Sequence, residues 1–186
     1  LGVYIEDFQA PDEGQEAAIQ LLGEGADVIF GAGGPTGSGG ITYAAAEGYY
    51  VIGVDQDEYF TTFGGGTSPG AEYLITSAMK RVDNGVYDMI VAAASGEGFP
   101  ADSTYVLEIA NEGIDFAPPH DSDISDDIVQ QIADIRKGLR DGSIVTGIHP
   151  VTGEFLPLTT EVLAEQGLTT LLTIIEAIDL TESANE

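Results

Sequence analysis

Residues 26–34 read ADVIFGAGG, an apolar strand that runs directly into a glycine-rich loop. A strand followed by a loop or a helix start occurs again in VYIEDF (3–8), YVIGVD (50–55) and EYLITSAMK (72–80). Strands connected in this way lie parallel in an open sheet, and their carboxyl ends share one edge, where small ligands bind in α/β proteins. The sequence therefore predicts a ligand crevice at that edge, lined by Phe8, residues 31–40, Asp55 and Lys80.

Helices are predicted between these strands. A proline and an aspartate signal the start of a helix over residues 12–24, and a small-residue helix follows the glycine loop through residues 43–47. LIT (74–76) is predicted to lead into a helix that is under way at Met79 and ends near Ser95. The alternation predicts an α/β fold, with an open, mainly parallel sheet and helices on both faces.

The second half of the chain gives weaker signals. Residues 56–70 contain too many glycines for regular structure and are predicted to form a lid or a surface loop. STYVLEIA (103–110) is predicted as a further strand, and GIDFAPPHDSD (113–123) as an extended loop because its prolines forbid a helix. Beyond these we expect a helix over 125–141, short extended pieces over 143–158 and amphipathic helical structure over 159–180.

The composition excludes several classes of function. With 186 residues, 43% of them hydrophobic, the chain is large enough to bury one good core. Its 32 acidic and 5 basic residues give a formal net charge of -27, which repels phosphate backbones and so argues against nucleic-acid binding. A saline or acidic habitat, or simply solubility, explains this charge better than a particular function does. There is no cysteine, so disulfides and thiolate sites are excluded.

The two ends of the sequence carry information about its context. LGVYIEDF (1–8) has neither an initiator methionine nor a signal peptide, so we expect the chain to be a piece of a longer protein. The longest apolar run near the other end, LTTLLTIIEAI (168–178), is too short and too interrupted to span a bilayer.

The glycine-rich loop resembles a phosphate-binding loop, but it lacks the Gly-Lys-Ser/Thr sequence and its G-x-G-x-x-G spacing fails at Thr36. A nucleotide phosphate site is therefore not predicted. Two roles stay open for the glycines: close approach of the backbone to a neutral ligand, or tight packing of a helix on the sheet.

Three side chains near the predicted edge suit the recognition of a sugar and a flat ring. Asp55 ends an apolar strand, so its carboxylate could accept hydrogen bonds from two neighbouring sugar hydroxyls, although a turn or cap aspartate is an equal alternative. Lys80, one helical turn beyond its strand, could reach the same crevice and pair with Asp55. Phe8 could stack on a flat ring or belong to the core.

The acidic and histidine clusters do not predict a metal site or catalysis. Asp57 and Glu58 lack the spacing of a calcium-binding loop. His120, Asp121 and Asp123 are too close in sequence to converge readily on one ion, and a turn is favoured there. With no nucleophile, base and acid in a recognisable arrangement, we expect no enzyme activity, no cofactor and no metal.

Three longer segments resemble one protein family: DFQAPDEGQEAAIQLLGEGADVIFGAGGPTGSGG (7–40), VIGVDQDEYF (51–60) and LITSAMKRVDNGVYDMI (74–90). They resemble the basic membrane protein family of ABC-transporter solute-binding lipoproteins, which includes purine nucleoside receptors. The resemblance covers about residues 3–147. It implies a type I periplasmic-binding-protein fold, in which two α/β lobes close around a nucleoside and deliver it to a membrane permease.

By this resemblance, residues 1–147 form the second lobe, with a crossover segment near 103–123, and residues 148–186 form a partly helical extension. The first lobe of the parent protein is missing from the chain. The resemblance also implies that Phe8 stacks on the base, Gly34 touches it through its backbone, and Asp55 and Lys80 bind the ribose hydroxyls.

The resulting hypothesis is an extracytoplasmic solute-binding protein, in the periplasm or at the cell surface and lipid-anchored in its parent form, whose partners are a nucleoside and an ABC permease. Two alternatives remain. The tail over residues 161–186 suggests a ligand-sensing domain of a signalling receptor. A nucleoside hydrolase would use Asp55, Asp57 and Ca²⁺.

Overall fold

The computed structural model describes residues 1–96, 98 and 104–148, and the chain divides into two compact units, Leu1–Val129 and Gln130–Glu186. The α-helices are α1 (Pro11–Gly23), α2 (Gly34–Ala46), α3 (Glu58–Thr61), α4 (Val82–Ser95) and α5 (Asp126–Asp141). The strands are β1 (Val28–Phe30), β2 (Tyr50–Asp55), β3 (Leu74–Lys80) and β4 (Ile114–Phe116), and single 3-10 turns lie at Ala71–Tyr73 and Ile109–Asn111.

The strands form one sheet in the order β1-β2-β3-β4. The β1–β2 and β2–β3 pairs are parallel, whereas β4 runs antiparallel to β3. The predicted α/β fold with a mainly parallel sheet is therefore confirmed. Because β2 and β3 are parallel neighbours, Asp55 and Met79 lie side by side at the carboxyl edge of the sheet.

The core lies between the sheet and α2. Ile29, Val51 and Leu74 from three neighbouring strands are buried against the apolar face of α2, on which Ile41 is fully buried. Phe63 is also fully buried in this cluster. The prediction that residues 56–70 lack regular structure is therefore wrong at α3, and Phe63 anchors the segment in the core, whereas most of residues 60–70 are exposed as predicted for a surface loop.

Glycines allow α1 and α2 to approach each other closely. A Cβ atom added to Gly14 would overlap the backbone of Thr36, and one added to Gly39 would overlap the backbone of Pro11. A Cβ on Gly37 would overlap Gly31 at the end of β1. At these positions the glycines allow close packing of the helices and the sheet, which is one of the two roles that the sequence left open. The predicted loop is also shorter than expected, since α2 already begins at Gly34.

The end of β3 differs from the prediction. The strand runs on to Lys80 and the following helix begins at Val82, so the prediction that Met79 and Lys80 belong to a helix is wrong. β3 extends this far because it is paired on both sides, with Asp55 opposite Met79 on β2 and Ile114 opposite Lys80 on β4.

The strand predicted over 103–110 is also wrong for the described part of that range. The side chain of Asn111 accepts hydrogen bonds from the N–H groups of Glu108 and Gly113 and donates one to the carbonyl of Val106. These bonds satisfy the backbone locally and replace a strand ladder. The strand lies instead at 114–116, inside the segment predicted to be a loop.

The remaining predictions have mixed outcomes. The helices over 12–24 and 125–141 are confirmed as α1 and α5. Residues 3–8 were predicted as a strand but carry no strand assignment, and Tyr4 is 99% exposed. The predictions for residues 149–186, including helical structure over 159–180, lie outside the described residues. In the parts of the chain that are described, no helix has the length and apolar character needed to cross a membrane.

Candidate functional site

Asp55 and Lys80 form an ion pair where β2 and β3 end. Asp55 Oδ1 lies 2.7 Å from Lys80 Nζ, as the sequence predicted, although Lys80 is on a strand and not one helical turn beyond it. The side chains are 46% and 66% exposed, and pairs this open to water contribute at most about 1 kcal/mol to stability. The two groups are thus held together; Asp55 Oδ1 is itself buried, and the exposed remainder of the pair is accessible to a ligand.

The backbone at Asp55 is in an unusual conformation. Its φ angle is 70°, in the left-handed region, and the N–H of Gln56 donates a hydrogen bond of 2.8 Å to the carbonyl of Val54. This three-residue γ-turn with a positive φ at its centre is rare and strained. Such a conformation costs about 1–3 kcal/mol in a residue other than glycine and is concentrated at functional sites. The turn directs the Asp55 side chain away from the regular path of the strand.

Phe8 is held above the start of α2 by Thr36. The N–H of Thr36 donates to the carbonyl of Phe8 (3.2 Å), and its hydroxyl donates to the carbonyl of Asp7 (2.5 Å) and accepts from the N–H of Ala10 (2.9 Å). Thr36 is buried, whereas Phe8 is 65% exposed. A fixed backbone thus presents an open aromatic ring, and the core alternative for Phe8 is wrong.

Gly34 lies directly beside Phe8. Its φ is 58°, a conformation that favours glycine, and a Cβ atom added there would lie 3.7 Å from Cδ1 of the Phe8 ring. Any larger side chain would occupy the space next to the ring. Gly34 therefore keeps the surface beside Phe8 clear.

Two pockets lie beside three of these residues, Phe8, Gly34 and Asp55. A groove of about 780 Å³ along α1, α2 and α3 is lined by Gly34, Asp55 and Ser38, among others. A smaller pocket of about 220 Å³ lies between the first residues, α1 and β1, and Phe8 is part of its wall. The structure thus joins the four predicted site residues as two contacting pairs, Phe8 with Gly34 and Asp55 with Lys80, and the larger groove links one member of each pair.

The histidine and acidic residues form a separate cluster. His120 Nε2 lies 2.8 Å from Asp57 Oδ2, and its ring stacks on Tyr59 with 4.0 Å between the ring centroids. The Tyr59 hydroxyl donates to Asp121 Oδ2 (2.6 Å), and this bond raises the pKa of Tyr59 above its ordinary value. The described residues contain no group of three or more acidic or histidine side chains placed to hold a metal ion. These contacts fasten the segment around His120 to α3.

Two residues that position the site were not identified from the sequence. In the sequence Thr36 only interrupts a glycine motif, and Glu58 only belongs to an acidic stretch without the spacing of a calcium-binding loop. The signal for Thr36 would have been a buried hydroxyl at the start of a helix, which commonly bonds to a neighbouring backbone. Glu58 was missed because two of its hydrogen-bond partners, Ser38 on α2 and Ser77 on β3, lie 20 and 19 residues away in the chain.

A family model described as "ABC transporter substrate-binding protein PnrA-like" matches residues 2–146. Among curated proteins, the CD4+ T-cell-stimulating antigen of Listeria monocytogenes is 31% identical over 151 residues, a match that covers 76% of this chain and 41% of the relative. The ABC transporter nucleoside-binding protein BmpA of Lactococcus lactis is 27% identical over 145 residues, a match that covers 73% of this chain and 41% of the relative. The chain therefore spans about two fifths of the length of these relatives.

Solved structures share the fold. A solute-binding protein of an ABC transporter system from Conexibacter woesei superposes with a TM-score of 0.54 at 22% identity, covering 76% of this chain and 43% of that one. A transcriptional activator of the comK gene from Bacillus halodurans superposes with a TM-score of 0.61 at 18% identity, covering 82% of this chain and 46% of that one. At identities this low, the likeness shows a common fold and nothing about function.

Proposed function

The chain belongs to the PnrA-like family of ABC-transporter substrate-binding proteins, and on that basis we propose that it forms one wall of a nucleoside site, with purine nucleosides favoured, in an extracytoplasmic receptor. The family is one of binding proteins and not of enzymes. In this proposal Phe8 stacks on the base, the Gly34 backbone lies against it, and Asp55 and Lys80 bind the ribose hydroxyls.

The observation that carries the proposal is the Asp55–Lys80 pair at the carboxyl edge of the sheet. A ribose presents two neighbouring hydroxyls, each of which can donate and accept a hydrogen bond. A carboxylate accepts and an ammonium group donates, so the pair matches both capacities of the diol. Bonds to charged groups are also stronger than bonds between neutral ones.

The rest of the receptor is inferred from the family. A second lobe would supply the opposite wall of the cleft, since a ligand of this size is normally buried on most of its surface. Closure of the two lobes around the nucleoside would be the state that a membrane permease recognises. We place the protein outside the cytoplasm, held at the membrane by a lipid anchor on its parent form.

Calorimetric titration of the complete protein with guanosine, inosine, adenosine, uridine and ribose tests this function. We expect the purine nucleosides to bind most tightly, with equal affinity in the presence and absence of a chelator, and to be recovered intact. Absence of binding to all five compounds would reject the nucleoside proposal. Release of free base that stops on chelation would show a hydrolase instead.

Replacing Phe8 with alanine is expected to weaken inosine binding by roughly 5- to 150-fold, because stacking of a base on an aromatic ring contributes about 1–3 kcal/mol. The melting temperature should change little, since the ring is 65% exposed. Tyr87→Ala on α4 removes an aromatic side chain that is 67% exposed and serves as the matched control, with unchanged affinity expected. Equal affinity in wild type and Phe8→Ala would remove Phe8 from the site.

A further inference from the structure

Glu58 is a buried carboxylate that connects four elements around the site. It is 2% exposed. Its Oε1 accepts the N–H of Val54 at the end of β2 (3.0 Å), and its Oε2 accepts the hydroxyl of Thr62 (2.5 Å) and lies 3.0 Å from the hydroxyl of Ser38 on α2. Its own N–H donates to the hydroxyl of Ser77 on β3 (3.1 Å). Glu58 is one of the residues around the larger groove, but at 2% exposure almost none of its surface faces that groove, and its oxygens are bound by the protein.

The bond to Val54 has a specific cause in the sheet. The last residue of β1, Phe30, pairs with Ile52, and the N–H of Gly31 donates to the carbonyl of Ile52. The polar backbone groups of Ile52 therefore face β1. Two residues later those of Val54 face the same way, beyond the point where β1 ends. Glu58 supplies the acceptor that the missing strand would have provided.

This bond fixes one side of the γ-turn at Asp55. The N–H of Val54 is bound by Glu58 and its carbonyl by the N–H of Gln56, so both of its polar backbone groups are engaged. Asp55 is the next residue, held at a φ of 70°. Strained backbone of this kind persists where the surrounding structure over-determines it. On the β2 side of the turn, the side chain of Glu58 supplies this constraint.

Glu58 also connects this turn to the other half of the site. The Ser38 hydroxyl that lies beside Glu58 Oε2 is 3.2 Å from the carbonyl of Gly34. One carboxylate is therefore in contact, directly or through a single hydroxyl, with the backbone that carries Asp55 and with the first residue of α2.

We propose that Glu58 is a positioning residue, which sets the direction of the Asp55 carboxylate toward the ligand diol without touching the ligand. This proposal rests on the nucleoside-binding function proposed above. It is tested by the ratio of two affinities measured on the complete protein, for inosine and for 2′,3′-dideoxyinosine, which lacks the 2′- and 3′-hydroxyls of the diol. Loss of a positioning residue for Asp55 lowers that ratio, because the ligand without the diol gains nothing from a well-directed carboxylate.

Glu58→Ala removes the acceptor of the Val54 N–H, and Glu58→Asp draws it back by one methylene group. Each change should lower the ratio by about tenfold, the equivalent of one hydrogen bond. Glu58→Gln keeps an acceptor for the Val54 N–H and can donate to the two hydroxyls, so its ratio should stay within about threefold of wild type. If Glu58→Ala does not fold, the comparison of the aspartate and glutamine variants decides. Leu74→Val in the core is the control for lowered stability and should leave the ratio unchanged.

An unchanged ratio in the alanine or aspartate variant would overturn the proposal, as would an equal loss in the glutamine variant. Failure of the wild-type protein to bind inosine is a different result, since it would reject the nucleoside function itself.

Discussion

Replacing Asp55 with alanine is expected to weaken nucleoside binding by about 100-fold or more while the protein remains folded. Each hydrogen bond to a charged group contributes about 1.5–3 kcal/mol, and the carboxylate is proposed to make two of them to the ribose. The change also leaves the Lys80 ammonium group without its partner at 2.7 Å. Fold retention follows from the exposure of both side chains. Calorimetry with inosine and circular dichroism measure the two effects, and unchanged affinity would contradict the role of Asp55.

A second substitution at the same position separates binding from backbone strain. Asp55→Gly should lose binding as Asp55→Ala does, yet be more stable than it by about 1 kcal/mol, because alanine is penalised at a positive φ and glycine is not. Chemical denaturation of the two variants measures this difference. Equal stability, or greater stability of the alanine variant, would show that the turn at Asp55 is not held at a φ near 70° in solution.

The largest effect on stability is expected at Gly14, where Gly14→Ala should lower the free energy of unfolding by about 2 kcal/mol. The added methyl group would overlap the carbonyl of Thr36, which belongs to the backbone and cannot turn aside as a side chain can. Overpacking costs roughly 3 kcal/mol in a site of this kind, and the higher helix propensity of alanine returns about 1 kcal/mol. The melting temperature should fall by roughly 4–8 °C.

The same helix provides the matched control. A Cβ added to Gly23, the last residue of α1, meets nothing within 4 Å, so Gly23→Ala should be neutral or stabilising by up to about 1 kcal/mol. Equal melting temperatures for the two alanine variants would contradict the close contact of α1 with α2. Because Thr36 also holds Phe8, the Gly14 variant should in addition weaken nucleoside binding, whereas the Gly23 variant should not.

The features that the sequence predicted correctly are those that depend on local pattern and on parallel topology. A proline and acidic residues mark the start of α1, and the run ending at Asp55 reads as a buried strand. Parallel neighbours end at one edge, so the contact of Asp55 with Lys80 followed from strand order, even though Lys80 was assigned to a helix.

The features that could not be predicted from the sequence depend mainly on contacts with residues far away in the chain. The apolar spacing from Leu74 to Val82 fits a helix as well as a strand, and pairing with β4, more than thirty residues later, decides for the strand. A glycine has no side chain to indicate its role, so the packing of Gly14 on Thr36 could not be read from either segment. Glu58 looks like a surface acid until its partners on other elements are known.

The central claim is that a nucleoside lies on the edge formed by Phe8, Gly34, Asp55 and Lys80. A crystal structure of the complete protein with inosine tests it most directly. We expect the base stacked on the Phe8 ring and the two ribose hydroxyls within about 2.6–3.0 Å of the Asp55 carboxylate and the Lys80 ammonium group. Inosine bound elsewhere, with no contact to Asp55, would contradict the account.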